Sequence, residues 1–223
     1  MLAWAAGIVL LLPNVTSSNE IYISQAGNSL SLDIRQRSEN NYISLSSTGA
    51  DNDITIYQGI HQDETYDFDE TGGHEAYWTV TGSNNTVGST QTDTNRSSGG
   101  GAAHHLANIV NGDNNVVYHT QRGKAGHDGF IEIQGDNNDV TLYQRGNGGQ
   151  QWADIVLTGD DHTVDASQRG TMAHSFEVDL TNSGGAYSVT STQTTNNTTT
   201  SKTYSLTGIC TNTAGCSISV SQN

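Results

Sequence analysis

The sequence predicts an all-β protein, a β-solenoid of about eight strand-turn-strand rungs. Three features predict it: a glutamine that recurs along the chain, a turn glycine before all but the last copy that is followed in four copies by Asn three residues on, and an aliphatic residue at one fixed place between them. A helical bundle is excluded, because the bulk of the 223 residues is Gly, Ser, Thr, Asn, Gln and Val rather than good helix formers. Leu, Ile, Val and Phe together make 42 of the 223 residues, a fraction at which single-layer folding fails and disorder is the default. Stacking of identical units escapes that limit, since each unit buries the face of the next.

The repeating unit reads G-x-x-N-x-V-x-x-x-Q, and its copies align on Gln36, Gln58, Gln91, Gln121, Gln144, Gln168, Gln193 and Gln222. The shortest steps run from 22 to 25 residues, so the longer ones carry insertions, as in 60–73 and 92–103. Six residues before the Gln, the Asn place holds Asn52, Asn85, Asn115 and Asn138, and elsewhere Leu30, His162, Tyr187 and Cys216. Three residues earlier come the corner glycines Gly27, Gly49, Gly82, Gly112, Gly135, Gly159 and Gly184; the eighth copy has none. Gly permits the positive φ of a tight corner, and Asn and Asp tolerate it.

Four residues before each Gln stand Leu32, Ile54, Val87, Val117, Val140, Val164, Val189 and Ile218. Strand side chains alternate with period two, so the Asn, the aliphatic and the Gln of one unit face the same way. Upstream of the corners lie second alternating stretches at 21–25, 43–47, 78–80, 106–110, 131–133, 155–157, 176–180 and 204–206. Stacked rungs repeat every ~4.8 Å, which lets Gln and Asn amides donate to one neighbour and accept from the other. The Gln and Asn places are therefore the expected structural ladders.

The unit resembles the curlin repeat of bacterial curli subunits. The first copy is the nearest, with Ile21, Ile23, Gln25, Gly27 and Gln36 matching L-x-I-x-Q-x-G and its closing Gln. The chain departs from the pattern after Gln25, where the same place holds Ser47, Val80, Val110, Ile133 and Leu157. The resemblance implies a divergent member of the family: stacked β-hairpin rungs, polymerisation with itself head to tail, and secreted extracellular fibres at the cell surface for biofilm and adhesion. It further implies a nucleator subunit and an outer-membrane secretion apparatus as partners.

Residues 2–12 form an apolar run of the length of a secretory signal, so 1–17 is read as a signal peptide and 18–223 as one repeat domain. In an exported chain Cys210 and Cys216 suit a disulfide around a short loop. With 23 acidic against 8 basic residues the formal charge is −15, which argues against nucleic acid as a partner. The same charge predicts faster assembly at lower pH, as self-repulsion falls.

Asp113, Asp136 and Asp160 follow corner glycines, and Arg122, Arg145 and Arg169 follow ladder glutamines. In register, like charges ~4.8 Å apart repel by about 0.9 kcal/mol even at the dielectric of water. The aspartate column is expected to meet the arginine column of another filament or, as a weak candidate for a metal site, to take a divalent cation, with a solvated turn edge as the plainer reading. The eight histidines read as scattered, without metal-ligand spacing. No cofactor, metal site, catalytic triad or Walker loop is expected, and the chain is not read as an enzyme. The alternative function is a monomeric solenoid binding module of ice-binding or adhesin type, which requires a regular outward Thr row.

Overall fold

A computed structural model describes residues 19–27, 31–36, 40–59, 73–92, 103–160, 163–179, 187–195, 201–205 and 216–222. The segment 1–17, Gly184 and Cys210 lie outside the described residues. Among the described residues sixteen strands form two all-parallel sheets of eight. The first sheet takes the upstream strand of every rung: β1 (Glu20–Ala26), β3 (Tyr42–Thr48), β5 (Glu75–Thr81), β7 (His105–Asn111), β9 (Asp128–Ile133), β11 (Trp152–Ile155), β13 (His174–Glu177) and β15 (Lys202–Ser205). The second takes the strands that end in the ladder Gln: β2 (Ser31–Gln36), β4 (Asp53–Gln58), β6 (Thr86–Thr92), β8 (Val116–Arg122), β10 (Asp139–Arg145), β12 (Thr163–Gly170), β14 (Tyr187–Thr195) and β16 (Cys216–Gln222). Each sheet runs in rung order, so the eight-rung solenoid legible in the repeat is the observed fold.

The corners explain the Gly requirement. Gly82 and Gly112 have φ of 119° and 130°, and Asn84 and Asn114, two residues on, both have φ of 58°. A Cβ on Gly112 would lie 2.1 Å from the carbonyl oxygen of Gly135 in the next rung, so a side chain there is excluded on both counts.

The two sheets face each other across a thin dry core in which volumes compensate. Trp78 reaches the small Ser89 of the facing sheet, its indole Nε1 donating to Ser89 Oγ at 3.3 Å. His119 fills the space left by Gly129, where a Cβ would come within 2.0 Å of the imidazole. Ile43, Ile54, Leu106, Ile131, Val140 and Phe176 are fully buried. Such interdigitation is what close packing demands of a core only two side chains deep.

One core position breaks the rule. Asn108 aligns with Trp78 on one side and Ile131 on the other, and neither its Nδ2 nor its Oδ1 has a partner. Replacing both unmet groups by an apolar side chain removes a desolvation cost, so Asn108→Val is expected to stabilise the fold by about 1–3 kcal/mol. Guanidinium denaturation of the variant beside the parent chain measures it, and a lower midpoint refutes it.

Candidate functional site

What the described residues build are columns that run along the stack. In the second sheet Gln36, Gln58, Gln91, Gln121, Gln144, Gln168, Gln193 and Gln222 stand in one unbroken register. From Gln36 to Gln168 each Nε2 donates to the Oε1 of the next glutamine, at 2.8–3.2 Å. The same amides also tie the sheets together. Gln58 Nε2 donates to the carbonyls of Tyr42 and His74, Gln91 to those of Glu75 and His104, and Gln121 to those of His105 and His127. Gln58, Gln91, Gln121, Gln144, Gln168 and Gln193 are fully buried, yet each is served by neighbours that repeat its own chemistry.

At the corners the Asn column works differently. Asn52, Asn85 and Asn115 each accept, on Oδ1, the backbone N–H of the next Asn at 2.9–3.0 Å. Asn52, Asn85 and Asn138 donate Nδ2 to the carbonyls of Gly82, Gly112 and Gly159 one rung on. Gly27 and Gly49 occupy the corresponding corners of the first two rungs. Cys216 starts β16 beside Tyr187.

A further column was missed by sequence reasoning and corrects the reading of the histidines as scattered. Asn19, Asn41, His74, His104, His127 and Gln151 enter the first sheet at equivalent places, and Gln151 bridges on to His174. Each backbone N–H bonds to the preceding side chain: His74 to Asn41 Oδ1, His104 to His74 Nδ1, His127 to His104 Nδ1 and Gln151 to His127 Nδ1. The rings of His74, His104 and His127 stack at 4.9 Å between centroids. Nε2 of His104 and of His127 faces the carbonyls of Thr92 and Arg122, which only accept. The column therefore holds neutral imidazoles with the proton on Nε2.

A signal for this column existed. Seventeen residues before Gln36, Gln58, Gln91, Gln121, Gln144 and Gln168 stand Asn19, Asn41, His74, His104, His127 and Gln151. Mixed Asn, His and Gln hid one role behind three residue types.

Burial drives the titration of these rings. The pKa of His74 and of His127 is pushed down to about 4 by desolvation, and His104 is held well below the ordinary value by burial and by its two histidine neighbours. His119, on the facing strand, is also lowered to about 4 by burial, against a hydrogen bond to Gln144 Oε1 that works the other way.

Two charged columns mark the edges. Asp113, Asp136 and Asp160 are exposed, and each Oδ1 accepts a backbone N–H from the rung before: Ser83, Asp113 and Asp136 respectively, at 2.6–2.8 Å. Arg122, Arg145 and Arg169 align at the opposite end of the same strands. Among the described residues no three His, Cys, Asp or Glu side chains are arranged to hold a metal ion, and no helix is long and apolar enough to cross a membrane.

Comparison with known proteins agrees with this architecture. The family model described as the curlin associated repeat matches residues 135–170. No curated protein and no solved structure matches the chain. The matched stretch runs from one turn glycine, Gly135, through β10 and β11 to the end of β12, and so takes in the ladder residues Gln144 and Gln168. Curlin proteins are in general structural, self-assembling subunits of extracellular fibres. The matched rungs continue on both sides in the same register, and the chain is similar to the curlin repeat over the matched residues 135–170.

Proposed function

We propose that this chain is exported by way of residues 1–17 and polymerises into curli-type amyloid fibres of a biofilm matrix, growing by head-to-tail addition of rungs. The observation that carries this reading is the state of the two ends. β1 and β2 form the outer edges of the sheets at one end, β15 and β16 at the other, with every ladder still in register. Ile23, Leu32 and Ile34 of the first rung are only partly buried, whereas Ile43, Ile54 and Ile56 one rung inward are fully covered. Among the described residues no strand pairs beyond these edges, and a partly uncovered apolar edge is a template for a further strand.

In this reading the Gln and Asn columns and the corner glycines are the assembly residues, and a Cys210–Cys216 disulfide restrains the last loop. A nucleator and an outer-membrane secretion apparatus are the partners beyond the chain itself. The monomeric binding-module alternative gains no support from the outward face of the second sheet. Its central row reads Thr55, Gly88, Tyr118, Thr141, Asp165 and Thr190, which is no Thr ladder.

The test is incubation of purified residues 18–223 with an amyloid dye, followed by electron microscopy and fibre diffraction. Fibres with a meridional reflection near ~4.8 Å are expected. A chain that stays monodisperse and dye-negative at high concentration overturns the proposal.

A further inference from the structure

Among the described residues the edge charges meet no charge of opposite sign: no ion pair joins the aspartates at 113, 136 and 160, or the arginines at 122, 145 and 169, to one. Arg122, Arg145 and Arg169 follow one another in register, and Lys124 is exposed beside them, so four of the chain's eight basic residues share one edge of three rungs. In a chain of charge −15 that is a strong segregation. Arg169 lies over the Tyr143 ring at 4.8 Å, which orients its guanidinium without neutralising it.

The two columns also match as lattices. Each has three charges, each takes one charge per rung, and both derive their rise from the same sheet register. They sit at opposite ends of β8, β10 and the strand that follows, so a sideways shift along the strand direction, without rotation, carries one column onto the other.

We propose that the aspartate edge of one copy pairs with the arginine edge of a second copy lying alongside it, and that filaments of this chain associate laterally through these two edges. The contact is heterologous: each copy keeps one unsatisfied edge of either sign, so association continues into ribbons instead of closing at a pair. The scale of the effect rests on the fibre reading given above, but the pairing itself does not. The aspartates retain a second task, since their Oδ1 atoms hold the N–H groups of the preceding rung. Asn at those places keeps an acceptor oxygen while removing the charge.

The experiment compares the full chain with Asp113→Asn/Asp136→Asn/Asp160→Asn and with Arg122→Gln/Arg145→Gln/Arg169→Gln. Electron microscopy is run at about 10 mM salt, where screening reaches ~30 Å, and at about 1 M, where it reaches ~3 Å. The parent chain is expected to form ribbons at low salt and single filaments at high salt. Each variant alone is expected to stay as single filaments, and a mixture of the two to form two-filament pairs and no wider object, because only one charged interface survives.

Ribbons that persist at high salt or in either variant overturn the proposal, as does a mixture that does not pair. Dispersal by the arginine variant alone assigns that edge to some other anion and overturns it too. A chain that forms no filaments sinks the fibre reading instead. The pairing is then read by sedimentation at low salt, where association in the parent and none in either variant supports it, and a lone monomer at every concentration refutes it.

Discussion

Acidification from pH 7 to 4 is expected to destabilise the folded stack by about 3 kcal/mol for each of His74, His119 and His127, whose pKa is lowered from 6.5 to about 4. Between those values the unfolded chain binds protons that the folded chain refuses. Stability is therefore complete above about pH 6.5, declines as the pH falls, and levels off near 4. A loss of that size at even one ring is a substantial fraction of the stability of an ordinary domain. The structural reason is local: a proton on Nδ1 would face the N–H of the next rung and set like charges 4.9 Å apart.

This runs against the net-charge expectation of faster assembly in acid. Asp154 opposes the histidines as well, its pKa raised by burial and by Glu177, Asp179 and Glu132, so protonating it favours the folded form. Glutamine separates the contributions, because Gln151 already occupies the column and donates Nε2 to the Arg145 carbonyl, as the histidines do to theirs. The variant His74→Gln/His104→Gln/His127→Gln is expected to lose most of the acid sensitivity. Denaturation midpoints followed against pH for both chains decide it; identical profiles refute the neutral column.

Gln121→Leu is expected to cost about 3–5 kcal/mol, and Gln36→Leu about 1 kcal/mol or less. Gln121 is fully buried, donates to two carbonyls and to Gln144, and accepts from Gln91. Leucine conserves the volume but removes four hydrogen bonds from the dry interior, each contributing about 1 kcal/mol. Gln36 is only half-buried and donates to Gln58, and among the described residues it lies in the outermost strand of its sheet. Guanidinium titration of the two variants measures the contrast, and equal losses would show that the ladder is not held by its interior.

The fold was legible because stacking forces equivalent residues to repeat: Val117, Val140 and Val164 occupy one slot in three rungs, and the period follows from the chain itself. The histidine column was not legible, because Asn41, His104 and Gln151 share a register place but no residue type. A search for one recurring residue type passes over a recurring function. The compensation of His119 by Gly129 was hidden for another reason, since it joins facing sheets whose rotation about the axis no repeat spacing encodes.

The glutamine column also has a sense. Every bond from Gln36 to Gln168 runs from nitrogen to oxygen in the same direction, so the amide dipoles add into a vector along the axis. Two particles meeting by like ends would set oxygen against oxygen, or nitrogen against nitrogen. Joining by unlike ends avoids that penalty, so any train of these particles keeps a single arrow, and its two tips expose chemically different groups to arriving copies.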